Sequence, residues 1–208
     1  MSLTLLIAAS LLAASSGVPA IALRRRPALA QRVATAVLVL GAALGLAGAV
    51  LALAGQGAEF TAVWPTPRAS LSLRVDRLSA FFLLPVLGLP ALGSIYGLGY
   101  WPQEEKGTRS IRLQLFYGLV TGAMVIVCVA ANALFFLAAW EVMALAGFAL
   151  VWTEHDQPEA QKAGFVYLAS AHAGNLALFA VFALLGRLAG SFNTMAERLK
   201  REAQRNAQ

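Results

Sequence analysis

Glu141 is the sole charged side chain in an apolar run that extends from Leu113 to Thr153. A carboxylate held at mid-membrane depth costs at least ~2.5 kcal/mol, so an ionisable group in such a run marks a functional site by default. His172 lies in a further apolar run. Asn175 follows three residues later and therefore shares its helical face, with Ser170 and Tyr167 nearby. Together, Glu141, His172 and Asn175 have the chemistry of a proton path. The carboxylate and the imidazole can change charge, and an amide can hold a bridging water. The plainer readings are a protonated carboxyl that bonds a neighbouring helix and a histidine that hydrogen-bonds across helices.

Long apolar helices must position these groups. The sequence has 59% hydrophobic and 12% charged residues, with a mean hydropathy of +0.70. That balance excludes a water-soluble globular domain and gives an all-α, polytopic membrane bundle. Crossing the hydrocarbon takes roughly 20 residues. Charge-free stretches place spans at Leu3 to Leu23, Val33 to Ala54 and Leu78 to Leu98. The run from Leu113 is about twice the needed length, so a tight turn at Asn132 is expected to split it into Leu113 to Ala130 and Asn132 to Trp152. Ala163 to Gly186 is the sixth span. Pro19, Pro85 and Pro90 are expected to kink their helices. Glu141 falls about 11 residues from the end of the fifth span and His172 about 9 residues into the sixth, which runs back. At 1.5 Å per residue the two lie within roughly one turn of the same depth.

The net charge of +6 comes from residues between spans, and no nucleic-acid motif accompanies it. Arg24 to Arg26 follow the first span and no basic residue precedes it, the charge order of a retained helix with its N-terminus outside. Inner segments then carry Arg24, Arg25, Arg26, Arg32, Lys106, Arg109, Arg112 and Lys162. The other eight of the 16 cations fall outside, so the orientation rests on the first loop. Lys162 and Arg187 read as interfacial anchors.

Two segments outside the spans carry their own patterns. Phe60, Ala62 and Trp64 alternate, Pro65 and Pro67 bracket a turn, and Leu71, Leu73 and Val75 alternate again. This predicts a short outer β-hairpin, the alternative being an irregular loop. After the sixth span, Thr194 and Glu197 form a capping-box pattern, with Glu197–Arg201 and Arg198–Glu202 at ion-pair spacing. These suggest a separate interfacial helix or a solvated tail. Gly41, Gly45 and Gly48 have the spacing of close helix packing. Cys128, the single cysteine, reads as a small core residue. No cofactor-binding or metal-ligand pattern is found.

The string Asn132-Ala-Leu-Phe-Phe-Leu-Ala-Ala-Trp-Glu141-Val-Met resembles the fifth helix of antiporter-like, proton-translocating membrane subunits. This family is shared by respiratory complex I, Mrp-type antiporters and membrane-bound hydrogenases. Val75-Asp76-Arg-Leu-Ser-Ala-Phe-Phe is similar to the opening of that family's third helix. Ala171-His172-Ala-Gly174 is most similar to the hydrogenase-4 and formate hydrogenlyase branch. The resemblance implies that Glu141 matches an essential glutamate that pairs with a lysine on a seventh helix. That helix lies beyond this sequence, so the resemblance implies either a truncated or split form whose partner supplies the cation, or a remnant. It further implies three regions: 1–112 with the first three spans, 113–189 as a partial antiporter-like repeat, and 190–208 as a basic tail. The expected role is a non-catalytic, multi-pass subunit in the cell inner membrane. Its partners would be other membrane-arm subunits and hydrogenase-like or NADH dehydrogenase-like peripheral subunits, and it would itself bind no cofactor. The alternatives are a small cation/proton antiporter component and a structural or assembly subunit.

Overall fold

The computed structural model describes residues 1–63 and 70–206, so Trp64, Pro65 and Pro67 lie outside the described residues. The elements run α1 (Ser2–Ser15), α2 (Val18–Ala22), α3 (Pro27–Leu53), β1 (Ala58–Val63), β2 (Ser70–Val75), α4 (Arg77–Tyr100), α5 (Gln103–Lys106), α6 (Thr108–Val129), α7 (Ala133–Val151) and α8 (Pro158–Asn206). A short 3₁₀ turn, Trp152–Glu154, follows α7. Among the described residues six helical stretches are long and apolar enough to cross a membrane. The protein is an all-α, multi-pass membrane protein with one small two-stranded sheet. Leu78, Phe81, Leu89 and Leu92 of α4 point outward, each at least 60% exposed, the reverse of a water-soluble fold and the expected dress of a helix facing lipid or other chains.

Local chemistry sets the helix ends. The first span breaks at Ser16–Gly17, just ahead of Pro19, which sits in the first turn of α2 where its missing N–H leaves nothing unpaired. α4 continues unbroken through Pro85 and Pro90. α3 ends in a Schellman turn. Gly55 takes φ 94°, Gln56 N–H donates to the Leu51 carbonyl at 3.0 Å, and Gly55 N–H donates to Ala52 at 3.0 Å. Asp76 caps α4 by accepting the Ser79 N–H at 2.8 Å, a bond that holds its carboxyl below the usual carboxylate range.

The chain divides into two compact units, Met1–His172 and Ala173–Gln208. In the first, α1 packs on α3 and α6, and α3 packs on α4. The glycine stripe makes this possible. A Cβ at Gly41 would meet Leu12 and the Ala9 carbonyl oxygen, and one at Gly48 would meet the Ser2 carbonyl oxygen. The core lies toward the hairpin end, where Leu6, Leu83 and Leu87 are fully enclosed and Leu73 and Val75 point inward from β2. The strands pair antiparallel with Phe60 opposite Leu73 and Ala58 opposite Val75. The expected turn near Asn132 is more than a turn. Ala130 bridges Leu73, the Ala131 N–H donates to the Ser72 carbonyl at 2.8 Å, and Asn132 caps α7 by accepting the Phe135 N–H at 2.7 Å.

At the opposite end of α4, Gln31 and Gln103 satisfy helix termini and Gln114 braces Gln103. Gln31 Nε2 donates to the Gly97 and Trp101 carbonyls, both at 3.0 Å, and its Oε1 accepts the Gln103 N–H at 2.8 Å. Gln103 Nε2 reaches the Ala20 carbonyl at 3.3 Å, and Gln114 Nε2 donates to Gln103 Oε1 at 3.1 Å. In a low-dielectric setting such terminal carbonyls and N–H groups need these partners.

In the second unit α8 runs on to Asn206 without the pause expected before a separate tail helix. Thr194 Oγ1 donates back to the Gly190 carbonyl at 3.0 Å, so it is a helix-interior residue and the capping-box reading fails. The reason is that an existing helix upstream already occupies the N–H groups a cap would satisfy. The side chains of Arg198, Arg201 and Glu202 lie outside those described, and with them the proposed ion pairs.

The hairpin and the α5–α6 junction stand at opposite ends of α4, so a topology test is direct. In a Cys128→Ser background, single cysteines at Thr61 and Thr108 are expected to label from opposite membrane faces, Thr61 from the outside. Labelling of both from one side contradicts the orientation read from Arg24 to Arg26.

Candidate functional site

α7 and the start of α8 form a close antiparallel pair within the first unit, and small residues let them approach. The Tyr167 hydroxyl sits where a Cβ on Gly147 would lie, and a Cβ on Gly164 would meet the rings of Trp152 and Phe148 at 3.2 and 3.3 Å. Trp152 and Phe165 stack edge to face, with centroids 5.3 Å apart. Counting from these contacts, back along α7 and forward along α8, brings residue 141 opposite residue 172.

There Glu141 Oε1 lies 2.9 Å from His172 Nε2, a hydrogen-bonding distance. The other ring nitrogen, Nδ1, lies 3.1 Å from the Leu168 carbonyl oxygen, one turn back in the same helix. A carbonyl can only accept, so Nδ1 carries a proton and Nε2 is the nitrogen that faces the carboxyl group. A proton between the two side chains then belongs to either partner. It completes a neutral carboxyl donating to a neutral imidazole, or a carboxylate accepting from an imidazolium, and both forms have zero net charge. The pair is not enclosed by this chain. The Glu141 side chain is 31% exposed and that of His172 44%, so the burial expected for the carboxylate is only partial.

Of the three residues named from the sequence, the structure brings Glu141 and His172 together. Asn175 belongs to the second unit, Ala173–Gln208. The Leu168 carbonyl was missed, although it is the ordinary i−4 acceptor for a polar side chain at 172. Among the described residues no cluster of His, Cys, Asp and Glu could hold a metal ion.

No protein-family model matches the chain. Over 129 residues it is 34% identical to hydrogenase-4 component B of Escherichia coli, covering 62% of this chain and 19% of that protein. Over 156 residues it is 30% identical to an uncharacterized protein of Mycobacterium tuberculosis, covering 74% of this chain and 24% of that protein. A probable K(+)/H(+) antiporter subunit from Rhizobium meliloti is 24% identical over 137 residues, 66% of this chain and 13% of that protein. The chain is a homologue of the antiporter-like membrane subunits. The chain spans about a quarter or less of the length of the curated relatives it matches.

Proposed function

We propose that this antiporter-like chain is part of a membrane subunit of a proton-translocating complex in the cell inner membrane. The complex would be of the hydrogenase, formate hydrogenlyase or NADH:quinone oxidoreductase-like kind, and Glu141 and His172 would hand on the proton. The supporting observation is the 2.9 Å carboxyl–imidazole contact, with the far ring nitrogen fixed on a backbone carbonyl. Such a pair can accept a proton from one side and release one to the other while resting in a neutral, inexpensive state. Asn175 would extend the path through water.

The exposed parts of the two side chains fit this role only if another surface covers them, because lipid would leave a charged intermediate unsolvated. Other membrane-arm subunits are the proposed cover. Hydrogenase-like or NADH dehydrogenase-like peripheral subunits would supply the redox chemistry, so this chain itself carries no redox cofactor.

His172→Ala is expected to slow proton movement severalfold without abolishing it, since a wet site lets water take the imidazole's place beside Glu141. Proton uptake by membrane vesicles holding the assembled complex measures this. A His172→Ala variant indistinguishable from wild type removes His172 from the path. Similarity to a probable K(+)/H(+) antiporter subunit favours a second reading as a cation/proton antiporter component. In that case transport would depend on Na⁺ or K⁺ at constant pH. A docking subunit without ion transport is the third reading, and proton movement unaffected by loss of the Glu141 charge would favour it.

A further inference from the structure

Between α3, α4 and α6, within the first unit, lies a cavity of about 100 Å³ bounded by Thr35, Ser94, Trp101, Gln114 and Tyr117 among others. Two polar atoms on its lining have no protein partner although both are buried: Trp101 Nε1, a donor, and Gln114 Oε1, an acceptor. The polar side chains beside them are bonded to one another and to backbone carbonyls. Gln114 Nε2 donates to Gln103 Oε1 at 3.1 Å and to Ser110 Oγ at 3.0 Å. Ser94 Oγ donates to Thr35 Oγ1 at 3.1 Å, and the Tyr117 hydroxyl donates to the Pro90 carbonyl at 3.3 Å.

We propose that this cavity is a built binding site for a small cluster of water molecules, independent of the Glu141–His172 pair. The occupant must be neutral, because the lining holds no carboxylate, ammonium or guanidinium. It must also accept from an indole N–H and donate to an amide oxygen, because a buried polar group left unpaired keeps its full desolvation penalty. Water does both, and at about 30 Å³ per molecule the space takes roughly three. The Thr35 and Tyr117 hydroxyl oxygens have acceptor capacity left for a second and third molecule. The cluster would complete the network through which Gln31, Gln103 and Gln114 tie the ends of α2 to α6 together. Lys106 Nζ lies 4.7 Å from the centroid of the Trp101 ring, a cation–π contact at the same residue.

The test is indole ¹⁵N–¹H NMR on the full chain in lipid nanodiscs, the Trp101 signal being assigned by its loss in Trp101→Phe. The site predicts a cross-peak between the Trp101 Nε1–H and water of long residence, reduced at least twofold in Gln114→Leu. No water cross-peak at Trp101 in the wild-type chain overturns the proposal whether or not Gln114→Leu folds. So does a high-resolution map of the wild-type protein in which Trp101 Nε1 donates directly to a protein oxygen and the cavity is closed. A cross-peak equally strong in a folded Gln114→Leu chain also overturns it, since water would then be held without the built acceptor.

Discussion

Glu141→Gln is expected to reduce coupled proton movement in the assembled complex by roughly 100-fold or more, the usual worth of a positioned proton-transfer group, while insertion and assembly stay at wild-type levels. The geometry makes this a clean substitution. His172 Nδ1 is committed to the Leu168 carbonyl, so Nε2 of the neutral ring needs a donor, and a glutamine amide donates as the protonated carboxyl would. Shape and hydrogen bond survive, and only the ability to release the proton is lost. Proton uptake by inverted membrane vesicles, with the amount of assembled complex measured beside it, decides the matter. Wild-type uptake from fully assembled Glu141→Gln complex would remove Glu141 from the path and leave the docking reading in its place.

The second large effect concerns the α1–α6 contact. Gly122 lets these helices meet backbone to backbone: a Cβ there would stand 2.6 Å from the Ser10 carbonyl oxygen, and Ser10 Oγ donates to the Gly122 carbonyl at 2.9 Å. The Cβ would also meet Ala14 Cβ at 2.9 Å and the Ala14 backbone nitrogen at 3.1 Å, and none of these atoms is a flexible side-chain end that could swing away, so Gly122→Leu must push the helices apart and break that bond. Overpacking of this kind costs about 1–3 kcal/mol and occasionally more, a large share of a domain's ~5–15 kcal/mol. Thermal unfolding of the purified chain in detergent should show a drop in midpoint of several degrees and a lower folded yield. Gly88→Leu is the control, because nothing lies within 4 Å of a Cβ at that position. Equal behaviour of the two variants would mean that the α1–α6 approach does not carry the fold.

The spans were readable because the hydrocarbon imposes one length on them and charges punctuate them. The interruption near Asn132 followed from length alone, and the depth match of residues 141 and 172 followed from helical rise. The hairpin was legible in the alternation of Leu71, Leu73 and Val75, but its bridge to Ala130 was not, since nothing local links residues so far apart in the chain. The glutamine network escaped for the same reason. Gln31, Gln103 and Gln114 are neutral, scattered through polar segments and span edges, and meaningful only once the topology brings the ends of α2 to α6 together. Thr194 shows the opposite failure, in which a correct local pattern was overruled by the helix already running through it.

The bond from Ala131 to Ser72 has a mechanical consequence. It stitches the lead-in of α7 to a strand that is itself paired along its length, and Asn132 locks the first turn beside it. Sliding α7 along its own axis would tear that stitch, so the fold resists a piston stroke of the helix that carries Glu141. For the proton path proposed at Glu141, gating would then fall to smaller movements, a rotamer change at Glu141 or a tilt of the neighbouring helix, pivoting about a fixed anchor at the start of α7.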